Sequence, residues 1–221
     1  MLVAPDRWDK ERENMMDVVH RDFSPDVFNV HRLDMETSGV LLCSKNRKAH
    51  DSLSGQFQDR KVEKRYLALT RGVPPERVMT IKRPMMEDDR YPGRMRCSRN
   101  TGKPAETLLC LLTQWRGYAL LEVFPKTGRT HQIRVHLTSI RCPVLADPLY
   151  GDGKPLMLSD IKHGYKKKKD EEERPLIGRL ALHAESITFV HPVTGETVTI
   201  CSPMPKSFEV SIKYLKRFAG M

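Results

Sequence analysis

Two apolar runs, residues 106–112 and 118–124, face each other across Gln114-Trp115-Arg116-Gly117. A short turn ending in glycine between such runs predicts an antiparallel hairpin. Further strand candidates stand at 65–71, 78–82, 182–190 and 197–201. The last two are joined by Pro192-Val193-Thr194-Gly195-Glu196, another hairpin turn, and Pro143 to Leu145 reads as a short extended piece. Helical spacing is found at 11–22, about 46–58, 130–140 and 205–219, with a candidate helix at 155–161. Strands that follow one another through tight turns, with few helices between, predict a mixed, mainly antiparallel α+β domain. At 221 residues, 39% hydrophobic and 30% charged, the chain can bury one core, so residues 1–221 read as a single domain. Within it, 159–178 carries Lys166 to Lys169 followed by Asp170 to Glu173, a self-neutralising block expected to be a mobile charged loop.

Composition excludes several classes. No run approaches a membrane span and no secretory apolar segment opens the chain, so neither a membrane nor export is expected. Five dispersed cysteines (Cys43, Cys97, Cys110, Cys142, Cys201) lack any CxxC spacing and read as reduced thiols of a cytoplasmic protein. His131 and His136 are five apart, off a shared helical face, and no metal site is expected. The formal net charge of +10 favours a polyanionic partner. Between Asp89 and Glu106 there is no acid, while Arg90, Arg94, Arg96, Arg99 and Lys103 recur among Tyr91, Pro92 and Gly93. This is a long basic loop or loose hairpin, either suited to following phosphates or merely solvated.

Two stretches carry chemistry. In residues 31–39, His31-Arg32-Leu33-Asp34-Met35-Glu36-Thr37-Ser38-Gly39, apolar runs lead in (Val27, Phe28, Val30) and out (Val40, Leu41, Leu42) as short strands. Thr37-Ser38-Gly39 supplies the turn, with Gly39 free to take a positive φ. Asp34 is then either a turn residue capping its own backbone or a buried carboxylate that needs a cation. In residues 126–137, Lys126-Thr127-Gly128 is a turn, Thr130 a candidate N-cap, and Ile133, Leu137 and Ile140 form one helical stripe. No acid occurs from Val123 to Ala146, while Lys126, Arg129, Arg134 and Arg141 do. An electropositive helix start takes an anion, which is a phosphate or Asp34.

HRLDMETSG and KTGRTHQIRVHL, with Arg179-Leu180-Ala181-Leu182-His183-Ala184 and its following His191-Pro192, resemble the signature regions of the RluA-type pseudouridine synthases. Tyr66, in Lys64-Arg65-Tyr66-Leu67-Ala68, stands where that family carries its tyrosine. Order and spacing agree along essentially the whole chain. The resemblance implies the pseudouridine synthase fold, with a central active-site cleft. In that family a further strand precedes the region matching Leu2 to Pro5, so the expected fold lacks the family's first strand. The compact arrangement, and Met35 within the first motif, are most similar to the small branch without an extra N-terminal RNA-binding domain.

That resemblance implies an isomerase acting on stem-loops of ribosomal RNA, tRNA or both, by base flipping and an aspartate nucleophile. Asp34 is the nucleophile by matching position, and Arg134 the arginine that pairs with it. A contact at ~4 Å in an effective dielectric of ~20 is worth roughly 4 kcal/mol before desolvation. Tyr66 would stack on the uracil and serve proton transfer, Arg32 would brace the flipped nucleotide, and Leu182 would line the pocket. His31, Thr37, Arg129, His131 and Gln132 would position the motif segments around the substrate, and His183 would be structural. Arg90, Arg94, Arg96, Arg99 and Lys103 would contact the RNA loop. Isomerisation exchanges no electrons with a second substrate, so no cofactor is expected, and the protein is read as a monomer. Two rival classes are a non-catalytic RNA-binding protein on the same fold and a hydrolase using Asp34 with Glu36.

Overall fold

The structure is a computed structural model that describes residues 2–3, 13–166 and 172–220. In chain order its elements are α1 (Met15–Asp22), β1 (Phe28–Asn29), β2 (Ser38–Gly39), β3 (Cys43–Ser44), α2 (Arg47–Gln58) and β4 (Glu63–Arg71). There follow β5 (Val78–Lys82), β6 (Met85–Glu87), β7 (Met95–Cys97), β8 (Glu106–Trp115), β9 (Tyr118–Pro125) and α3 (Gln132–Ser139). The chain closes with β10 (Leu182–Val190), β11 (Thr197–Cys201) and α4 (Lys206–Phe218). This is the mixed, mainly antiparallel α+β architecture that the turn spacing predicts. It divides into two compact units, residues 1–65 with 184–202 and residues 66–183 with 203–221.

The second unit is built on the β8–β9 hairpin, which runs antiparallel from Trp115 opposite Tyr118 to Thr107 opposite Pro125. An irregularity between Leu111 and Thr113 turns Leu112 outward. β5 pairs with β8 and residues 66–71 of β4 pair with β9, both antiparallel. Pro143 to Leu145 runs beside β4, taking the Arg71 N–H at Pro143 O and giving the Leu145 N–H to Leu69 O. Leu69, Leu109, Leu121 and Leu137 are fully enclosed with Phe208 and Leu215 of α4. Burying such a side chain stabilises by roughly 1.5–3 kcal/mol. No helix forms at 155–161: the Leu156 N–H is given to Ile177 O, and the side chains of Leu156 and Ile177 both enter the core. The expected mobile loop at 159–178 lies partly outside the described residues. Within it, Ser159 N–H is bound to Glu173 Oε1.

In the first unit, α1 opens with a capping box between Asn14 and Asp17. β1 pairs with β3, β10 with β11, and β2 lies on β10. Leu42, Leu53, Val62, Ile187 and Phe189 form its core. The run Val40 to Leu42, expected as a strand, is irregular. Val40 N–H goes to Ala184 O, and Leu42 N–H goes to a side chain instead of a neighbouring strand. Gly39 does take a positive φ, +119°, although it lies in β2 and not in the turn. A β-carbon there would collide with the backbone of Ala184, so only glycine permits this approach. Among the described residues no helix is long and apolar enough to cross a membrane.

Candidate active site

The Asp34 loop belongs to the first unit. Its turn is one step earlier than expected: Thr37 N–H closes onto Asp34 O at 2.9 Å, with Met35 and Glu36 at the tip. Asp34 is half-buried and Arg32 exposed, and Thr37 Oγ1 is buried with no hydrogen-bond partner. His31 turns inward. Its ring stacks on Phe57 at 5.0 Å, and its Nε2 accepts the Leu42 N–H at 3.0 Å. That bond requires an unprotonated Nε2, so the ring is neutral with its hydrogen on Nδ1. Burial first, and the charge of Lys64 second, lower its pKa from 6.5 to about 4. His31 thereby clips together the two ends of the loop that carries Asp34.

The second motif lies in the other unit, on α3. Every residue from Gln132 to Leu137 is buried, polar ones included, so each polar side chain must find partners. Gln132 does so completely. Its Oε1 accepts from Thr127 Oγ1 and Arg129 N–H, and its Nε2 donates to Glu106 O and Thr107 Oγ1. Gln132 therefore staples the Lys126–Arg129 turn to β8, and Arg129 Nε reinforces it through Pro104 O. His136 spans Thr107 Oγ1 and Arg83 O. The helix cap is His131, in the left-handed region at φ 54°, and not Thr130. No side-chain cap bond is made there.

Arg134 is 3% exposed, and its Nε and Nη2 form a two-pronged pair with Asp147 at 2.8 and 2.7 Å. Asp147, fully buried, also accepts the N–H groups of Leu149 and Tyr150. Burial alone would raise its pKa. The Arg134 guanidinium and the two amides outweigh that and hold the carboxyl below its ordinary value. The expected partnership of Arg134 with Asp34 joins residues of different units, and the carboxylate described at Arg134 is Asp147. The pair uses two of the guanidinium's five N–H donors.

Tyr150 completes this cluster. The guanidiniums of Arg134 and Arg94 stand over its ring at 5.1 and 5.3 Å, and its hydroxyl meets Met95 N–H and His131 Nδ1, each at 2.8 Å. Asp147 and Tyr150 lie outside the motifs named above. The available signal was position: Asp147 is the first acid after the acid-free stretch, followed by Pro148 and the Tyr150-Gly151 pair.

The basic stretch is a docked hairpin and not a long loop. β6 and β7 pair antiparallel, and Met85, Met95 and Cys97 pack with Val135 and Tyr150. Arg90, Arg99 and Lys103 are exposed, Arg96 pairs with Asp89 at 3.2 Å, and Arg94 is drawn inward over Tyr91 and Tyr150. Tyr66 is half-buried on β4 opposite Val123. Leu182 is 2% exposed within the core, leaving little surface to face a ligand. His183 is buried beside Phe208. No group of three or more His, Cys, Asp or Glu among the described residues is placed to hold a metal ion.

A fold of this class is found in pseudouridine synthase domains. Human RNA Pseudouridylate Synthase Domain Containing 1 matches with a TM-score of 0.67 and 31% identity, over 87% of this chain and 74% of that one. The Domain Containing 4 protein shares the fold at a TM-score of 0.68 and 24% identity, over 92% and 84%. The family model described as RNA pseudouridylate synthase matches residues 1–139, and the chain belongs to that family. Curated relatives include ribosomal large subunit pseudouridine synthase C of Pasteurella multocida, 40% identical over 79% of this chain and 50% of that protein. Synthase D of Neisseria meningitidis serogroup B is 35% identical over 87% and 49%. The chain spans about half the length of the curated relatives it matches.

Proposed function

We propose that this chain isomerises uridine to pseudouridine in structured RNA, ribosomal RNA or tRNA stem-loops, within the cytoplasm and as a monomer. The reaction breaks N1–C1′, rotates the uracil and joins C5 to C1′. The C5 proton leaves and N1 regains one, so atoms balance without a co-reactant. Asp34 is the nucleophile toward C1′ or C6 of the flipped nucleotide. Tyr66 offers a flat face to the base and a polar tip for proton transfer. Arg32 braces the strand from which the base has left, at a cost of a few kcal/mol for unstacking. Arg134 supplies a fixed cation, and Leu182, Thr37, His31, Arg129, His131 and Gln132 hold the segments that present these groups.

The observation that carries this reading is the buried ion pair that Arg134, within the residues the family model matches, makes with Asp147. Burying an ion pair is a weak way to gain stability, and hydrophobic replacements often do as well. A guanidinium locked in place by a buried carboxylate is a preorganised cation of the kind that a reaction passing through a carboxylate nucleophile uses. The names of the relatives, ribosomal large subunit pseudouridine synthases C and D, support ribosomal RNA as the first substrate to try.

Tritium release from RNA labelled at uridine C5 tests the assignment. The wild-type chain is expected to release tritium, and Asp34→Asn to release it at least about a thousandfold more slowly, a barrier increase of about 4 kcal/mol. Free uracil in place of pseudouridine would identify a hydrolase. Tight RNA binding with neither product would identify a binding protein.

A further inference from the structure

The strands of β6 and β7 are three residues each, too short to hold a hairpin by their own ladder. The hairpin is held from below, and Tyr150 supplies a directional tie. Its hydroxyl accepts the Met95 N–H of β7 and shares a hydrogen bond with Nδ1 of His131, the residue that opens α3. Its ring carries the guanidinium of Arg134 from α3 and that of Arg94 from the hairpin. Two cations on one ring repel each other, and the arrangement holds because the ring's quadrupole attracts both and Asp147 neutralises one.

Arg94 differs from its neighbours. Arg96 has Asp89, whereas no carboxylate among the described residues pairs with Arg94, and its Nε is buried without an acceptor. A second ring, Tyr91, flattens it from 5.0 Å. A charge fixed in this way and left without an anion is preorganised for one, and a phosphodiester oxygen is the anion that RNA brings.

Resting on the synthase reading above, we propose that Tyr150 is a positioning residue that registers RNA to the active site. It fixes Arg94 as a phosphate anchor at a set distance from Arg134. The two guanidinium carbons are then no further apart than their summed distances to one ring centre, so a gripped phosphate and the reacting base keep one register.

Steady-state kinetics and salt-dependent binding to a large-subunit ribosomal RNA transcript test this. Arg94→Gln is expected to lower the slope of log affinity against log salt by about one, and to raise KM about tenfold with kcat within about twofold. Tyr150→Leu removes no charge, yet is expected to lower the slope by the same amount and to reduce kcat about tenfold as Arg134 loosens. The double variant is expected to show no further fall in slope. Tyr150→Phe keeps the ring, and should retain the slope while amide exchange at Met95 accelerates about tenfold and KM rises.

A wild-type slope in Tyr150→Leu, or slopes that add in the double variant, would overturn the proposal. Should Tyr150→Leu fail to fold, unchanged Met95 exchange and KM in Tyr150→Phe overturn it instead. Binding slopes that behave as stated in a wild-type chain that makes no pseudouridine would reject the synthase reading and leave the clamp standing.

Discussion

Asp147 is buried only because Arg134 and two amides meet it, so the carboxylate and the guanidinium depend on each other. Asp147→Asn keeps the shape and removes the buried negative charge that grips Arg134 at two points. We expect a loss of about 3–5 kcal/mol in urea unfolding, with kcat falling alongside. The same carboxyl sets an acid limit. Its folded pKa lies below the unfolded 3.8, so the unfolded chain takes the proton first, and stability falls as pH drops below about that value. His31 acts earlier. Its pKa falls from 6.5 unfolded to about 4 folded, so its share of stability is complete above pH 6.5 and is lost on the way down to 4. That share is at most on the order of 3 kcal/mol. Urea midpoints measured between pH 4 and 7 should slope in the wild type and flatten in His31→Ala. Asp34 and Arg134 are proposed from the sequence because whole motifs surround them, and Tyr66 because it stands where the resembling family carries its tyrosine. Asp147 is marked only by its position after the acid-free stretch, because an Asp before Pro otherwise reads as an ordinary turn residue, and the pairing spans thirteen positions with no helical or strand period.

Long, strongly patterned elements were legible: the β8–β9 hairpin, β10 and β11, α2 and α4 all fall where apolar spacing puts them. Elements fixed by tertiary contacts were not. β6 and β7 are too short to show alternation, and they exist because Met85, Met95 and Cys97 find Val135 and Tyr150. The segment 155–161 has helical spacing, but its backbone is taken by Ile177. At α3 the stripe of Ile133, Leu137 and Ile140 does predict the helix, but not its burial on every side, and a left-handed His131 displaces the expected cap. β2 offers the clearest test at this scale. Gly39→Ala forces a side chain against the Ala184 backbone at φ +119°, and we expect a loss of roughly 3 kcal/mol or more in chemical denaturation. Because β2 leads directly out of the Asp34 turn, residual folded protein should also be slow in tritium release.

At the scale of the molecule, the net charge of +10 suits the polyanionic RNA proposed as the substrate. Arg90, Arg99 and Lys103 remain exposed on the basic hairpin after Arg94 and Arg96 have found neighbours. Replacing Arg94, Arg96 and Arg99 together by Gln should reduce the salt slope of RNA binding by about 2–3, and an unchanged slope would remove the hairpin from the interface. Residues 66–183 interrupt the first unit, whose remaining strands arrive only with residues 184–202. Synthesis on a ribosome is vectorial, so the segment bearing Asp34 emerges before residues 184–202 and must wait for Ala184 before Gly39 has anything to lean on. During that interval its apolar side chains lack their partners from β10, and the Asp34 loop is completed only after most of the second unit has left the exit tunnel.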